Sequence, residues 1–75
     1  MELINRLKVL RAERDWTQEK LAELVGVTRK TINTVERGVY VPSTTLALRM
    51  ARVLNVPVES IFSLNDAPAE GELEG

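Results

Sequence analysis

Thr17-Gln18-Glu19-Lys20-Leu21-Ala22-Glu23-Leu24-Val25-Gly26-Val27-Thr28-Arg29-Lys30-Thr31-Ile32-Asn33-Thr34-Val35-Glu36-Arg37-Gly38 is the stretch that decides the fold. It contains the same helix-starting device twice. Thr17 is placed to cap a helix, and Trp16 before it has staple spacing to Leu21. Thr28 is placed to cap a second, with Val27 and Ile32 as its staple. A capping hydroxyl takes up a free amide of the first turn, and the staple fixes the angle at which the chain enters. Gly26 separates the two helices at a position that favours a left-handed residue, where glycine meets the least steric cost. The spacing therefore predicts two short helices joined by a tight turn, the second over about residues 28–36 with Ile32 and Val35 as its inner face. Leu21, Ala22, Leu24 and Val25 are expected to form the buried face of the first.

Working outward, Leu3, Ile4, Leu7 and Leu10 share the face of an amphipathic helix over about residues 2–13. Residues 38–42 form a loop that Pro42 prevents from continuing as helix. Ser43 is placed to cap a helix over about 43–54, with Leu46, Met50, Val53 and Leu54 inward. Pro57 suits the first turn of a short fifth helix over about 57–63. Val39, Tyr40 and Val41 have β propensity, but three residues before a proline do not make a sheet. The expected class is all-α: five short helices, no strand, one domain over residues 1–64. Residues 65–75, acidic and poor in apolar side chains, read as a disordered tail.

Composition removes several functions. The 75 residues contain no Cys and no His, so disulfides, thiolate metal sites and histidine dyads are absent, and no cofactor or metal is expected. No apolar run approaches the roughly 20 residues that span a membrane, and no signal-peptide pattern follows Met1. Glu19 and Glu23 are four apart but have no activating partner, so they read as a solvated face and no catalytic residue is expected. The formal net charge of −1 is unevenly distributed. Asp66, Glu70, Glu72 and Glu74 lie in the tail; the eleven acidic residues less those four leave seven against ten basic, a net +3 over residues 1–64. A ligand meets the local field and not the average.

The Thr17–Gly38 stretch resembles the helix-turn-helix of the Cro/cI-type (Xre-type) transcriptional regulators. The resemblance lies in Thr17-Gln18, Leu21-Ala22, Gly26-Val27-Thr28, Ile32, Glu36 and Gly38, and the flanking segments extend it over about residues 3–64. It implies a compact five-helix, lambda-repressor-like domain whose third helix enters the major groove, which is roughly 12 Å wide and accepts one helix. Arg29 and Lys30 would lie at the end of that helix that touches base edges. Cations oppose the dipole of a helix N-terminus, so stability alone does not explain them there. Asn33 and Thr34 follow as further base contacts, Asn toward adenine and the Thr34 methyl toward thymine, and Thr31 is a third candidate, with a hydroxyl bond back to its own helix as its other role. Gln18 matches a family glutamine that contacts phosphate. Thr28, Arg37, Tyr40, Ser43 and Arg11 are the other expected phosphate contacts. The resemblance also pairs Arg11 with Glu36, tying the first helix to the third. Trp16 reads as a staple and core residue, not a stacking platform.

One such domain covers only about 600–1,000 Å² of DNA-facing surface, so a homodimer on two half-sites of double-stranded DNA is expected. Val56, Val58, Ile61, Phe62 and Leu64 are the interface candidates, with completion of the monomer core as their other role. The resulting expectation is a cytoplasmic, sequence-specific regulator, a repressor, with no small-molecule effector. An antitoxin, a restriction-modification controller, or a protein-interaction module that has lost its operator are the alternatives.

Overall fold

The computed structural model describes residues 3–64; the acidic segment read as a tail lies outside them. Four α-helices follow one another: α1 Leu7–Glu13, α2 Gln18–Val25, α3 Arg29–Glu36 and α4 Thr44–Leu54. A strand β1 (Leu3–Asn5) precedes them, and a 3₁₀ turn (Val58–Ser60) and a strand β2 (Phe62–Leu64) close the described chain. The two strands pair antiparallel, Leu3 opposite Leu64, Ile4 opposite Ser63 and Asn5 opposite Phe62.

The caps act where the sequence places them. Thr17 Oγ1 accepts from the Lys20 amide at 3.0 Å, Thr28 Oγ1 from the Thr31 amide at 3.2 Å, and Ser43 Oγ from the Leu46 amide at 3.1 Å. Gly26 ends α2 with φ at 87°, the left-handed region that L side chains avoid. α2 packs against both α3 and α4, and α1 against α3. Leu7, Leu21, Ile32, Val35, Met50, Leu54 and Ile61 are fully enclosed at the centre. Trp16 and Val27, the two staple residues, pack against that core from its edge.

Three expectations are corrected. Leu3 and Ile4 do not extend α1, because the Asn5 side chain starts the helix later: its Oδ1 accepts from the Leu7 amide at 2.9 Å, and its amide donates to the Val35 carbonyl. The residues before it are thereby free to pair as a strand. The fifth helix is reduced to one 3₁₀ turn, since Phe62–Leu64 bond to β1 and the Ile61 carbonyl accepts from the Arg6 amide at 2.8 Å. The fold remains a mostly helical helix-turn-helix domain, with a small sheet joining its two ends. Leu24 is also exposed and does not join the buried face of α2.

Candidate nucleic-acid interface

α3 divides cleanly around its axis. Ile32 and Val35 are wholly buried, whereas Arg29 and Lys30 are exposed in the first turn, which contains no acidic residue. Two guanidinium or ammonium groups thus stand beside the positive end of a helix dipole without a carboxylate to offset them. With Asn33 they line an open concavity of about 390 Å³.

Behind that surface lies a polar network that fixes α3 to α1 and α2. The Glu36 side chain, only 3% exposed, accepts from Arg11 Nε at 2.7 Å and Nη2 at 3.2 Å, a two-point pair, and from Gln18 Nε2 at 3.1 Å. Arg11 Nη1 donates to the Trp16 carbonyl at 2.7 Å. Gln18 Oε1 in turn accepts from Asn33 Nδ2 at 3.4 Å. The side chain that opens α2 is therefore held between a buried carboxylate and the middle of α3.

These bonds bear on the expected roles. Arg11 has three of its five N–H donors engaged inside the protein and its side chain is 14% exposed, so little of it faces a phosphate. Asn33 points one amide hydrogen at Gln18, leaving its second N–H and its carbonyl oxygen for other partners. Thr31 and Thr34 are half-buried, and their hydroxyls are engaged. Thr34 Oγ1 donates to the Thr31 carbonyl at 2.9 Å, and Thr31 Oγ1 shares a 3.1 Å hydrogen bond with Thr28 Oγ1. Arg37 and Tyr40 are exposed in the turn after α3, and Ser43 is exposed at the start of α4.

Among the dimer candidates, Ile61 is corrected: at 1% exposure it completes the monomer core. Val56, Val58 and Phe62 are partly covered and pack on that core, while Leu64 is 56% exposed. Val58 and Phe62 line an apolar groove of about 300 Å³ together with Leu3, Val41, Pro42 and Leu48. Sequence reasoning missed Leu3 and Leu48 here because it assigned Leu3 to a buried helix face. The cue was Asn5, whose side chain favours starting a helix over continuing one.

The chain matches the helix-turn-helix family model over residues 7–61. It is 45% identical over 62 residues to YgzD, an HTH-type transcriptional regulator of Bacillus subtilis, covering 83% of this chain and 94% of that one. An HTH-type transcriptional regulator of Methanothermobacter thermautotrophicus is 51% identical over 61 residues, 80% of this chain and 88% of the other. Among solved structures, the restriction-modification controller protein C.AhdI of Aeromonas hydrophila superposes with a TM-score of 0.69 at 35% identity, covering 72% of this chain and 82% of that one.

Proposed function

The chain belongs to the helix-turn-helix family of transcriptional regulators, and on that footing we propose that it reads a specific double-stranded DNA site as a homodimer, with α3 in the major groove. The observation that carries this reading is the first turn of α3. Arg29 and Lys30 stand exposed and unopposed there, on a helix whose other face is locked into the core. Arg29 grips a guanine edge through two hydrogen bonds, and Lys30 reaches the same kind of acceptor. Gln18, Thr28, Arg37, Tyr40 and Ser43 hold the sugar-phosphate backbone and set register, with the α2 N-terminus adding free amides. Asn33 acts at a base edge through its carbonyl oxygen and its second N–H. Arg11 acts chiefly through Glu36. The domain occupies residues 1–64.

The second copy docks on the groove around Leu3, Leu48, Val58 and Phe62, with Leu64 and Val56 beside it. Occupancy of the site excludes other proteins from the same DNA, so repression is the expected outcome. Among the described residues no group of three His, Cys, Asp or Glu side chains is placed to hold a metal, and no helix is long and apolar enough to cross a membrane.

Selection of bound duplexes from a random pool tests the reading, followed by Arg29→Ala on the selected site and on random DNA. The variant should lose about 1–3 kcal/mol on the selected site and much less on random sequence. Equal losses on both would show that Arg29 touches only phosphate, and a flat titration of the parent would leave a protein-interaction module. The likeness to C.AhdI favours one further reading, control of a restriction-modification system. Methyltransferase and endonuclease genes beside this one, with the selected site in their promoter, would establish it.

A further inference from the structure

A second concavity of about 390 Å³ opens beside the first, sharing Lys30 with it, and is lined also by Thr31, Thr34, Val39 and Tyr40. Its chemistry differs from that of the first. The Thr34 hydroxyl gives its hydrogen to the Thr31 carbonyl and the Thr31 hydroxyl bonds to Thr28, so beside their remaining acceptor lone pairs these side chains present methyl groups. Val39, 67% exposed, and the ring of Tyr40 supply the opposite wall. That wall is fixed in place: Gly38 reverses the chain at φ 75°, and the Val39 and Tyr40 amides both donate to the Thr34 carbonyl, at 3.1 and 3.3 Å. An apolar hollow would invite an apolar partner, but the exposed charges around it are Arg29, Lys30 and Arg37, all cationic. A methyl group carried on a polyanion meets both conditions.

We propose that this hollow receives the 5-methyl group of a thymine, so that each protomer reads one T·A pair by apolar contact, independently of the hydrogen bonds made by Arg29. The major-groove edge of T·A is the only one that presents a methyl. The proposal rests on the DNA-binding reading above, and it adds Val39 and Tyr40 to the residues that determine specificity.

The experiment replaces each thymine of the selected site in turn by deoxyuridine, which deletes the methyl and nothing else. One thymine in each half-site should show about a fourfold loss of affinity, the value of one buried carbon group. Thr34→Ser keeps the hydroxyl and its bond to the Thr31 carbonyl but removes the methyl, and Val39→Ser acts at an exposed position outside the core. Each should abolish the thymine–deoxyuridine difference at that base pair and at no other, whereas Thr34→Val should retain it. A selected site with no sensitive thymine overturns the proposal while leaving sequence-specific binding intact. So does a sensitivity that persists in both Thr34→Ser and Val39→Ser. A pool from which no sequence emerges overturns the underlying DNA-binding reading instead.

Discussion

Glu36→Ala is the substitution that should destabilise this domain most for the fewest atoms removed. The carboxylate is nearly enclosed and accepts three hydrogen bonds, two from Arg11 and one from Gln18. Its removal strands a guanidinium that is itself 14% exposed, and breaking one side of such a pair costs about 3–5 kcal/mol. A domain of this size has roughly 4–11 kcal/mol in total, so the loss is a large share. At about 4–8 °C per kcal/mol, the melting midpoint should fall by at least about 12 °C. Trp16 is the sole tryptophan and lies against the core edge, so its fluorescence reports the transition alongside circular dichroism. The double variant Arg11→Met/Glu36→Leu removes both charges and should recover most of the loss, because the desolvation cost leaves with them. A Glu36→Ala midpoint within about 3 °C of the parent would refute the reasoning. So would a double variant whose loss equals the sum of the two single ones, since the pair would then carry no coupling.

Three further outcomes follow from the same geometry. Gly26→Ala and Gly38→Ala both force alanine to a positive φ, but only at Gly26 would the new Cβ meet Arg49 Nη2, at 2.7 Å, where that group donates to the Val25 carbonyl. Chemical denaturation should therefore find Gly26→Ala the worse by about 1 kcal/mol, a difference that should disappear with Arg49→Ala. Leu64→Glu should halve the solution mass measured by sedimentation without lowering monomer stability, whereas Ile61→Ala, at a buried position, should cost about 2–5 kcal/mol. The logarithm of DNA affinity should fall with that of salt at a slope of about −2, from one phosphate-neutralising cation, Arg37, in each of two protomers; a flat dependence would exclude that contact.

The helix-turn-helix was legible because its signals are local: a capping threonine, a staple and a glycine each act within one turn. All three side-chain caps lie where the residues alone place them, and Trp16 and Val27 both pack on the core. The small sheet was not legible, because β1 and β2 are three residues each and pair across nearly the whole described chain. Leu3, Ile4, Leu7 and Leu10 also fit one helical face, and only the Asn5 side chain decides between the two conformations. Ile61 was ambiguous for a related reason. A single apolar residue near a chain end can serve the core or a partner, and burial decides which. At the site, residue types were readable but the direction of their hydrogen bonds was not. Nothing in the order Thr31-Ile32-Asn33-Thr34 says that both hydroxyls turn inward or that Asn33 faces Gln18.

Those inward bonds change what the recognition surface can do. Of the ten basic residues, Arg11 is paired with Glu36, Arg14 donates to the Leu10 and Leu54 carbonyls, and Arg49 to the Val25 carbonyl. Three cations thus hold helices together: their engaged donors are spent inside the protein, while Arg14 and Arg49, bonded only to neutral carbonyls, keep their charge in the +3 over residues 1–64. On α3 the hydroxyls of Thr31 and Thr34 are engaged and one amide hydrogen of Asn33 is spent on Gln18, which leaves Arg29 and Lys30 as the side chains with all their donors free of these bonds. Few donors and a small cationic surface make weak non-specific binding the physical consequence. Discrimination must then come from geometry: a helix fixed by Glu36, a guanidinium in its first turn, and an apolar hollow beside it. On the homodimer reading proposed above, a second protomer would double those contacts and supply the affinity that one copy lacks.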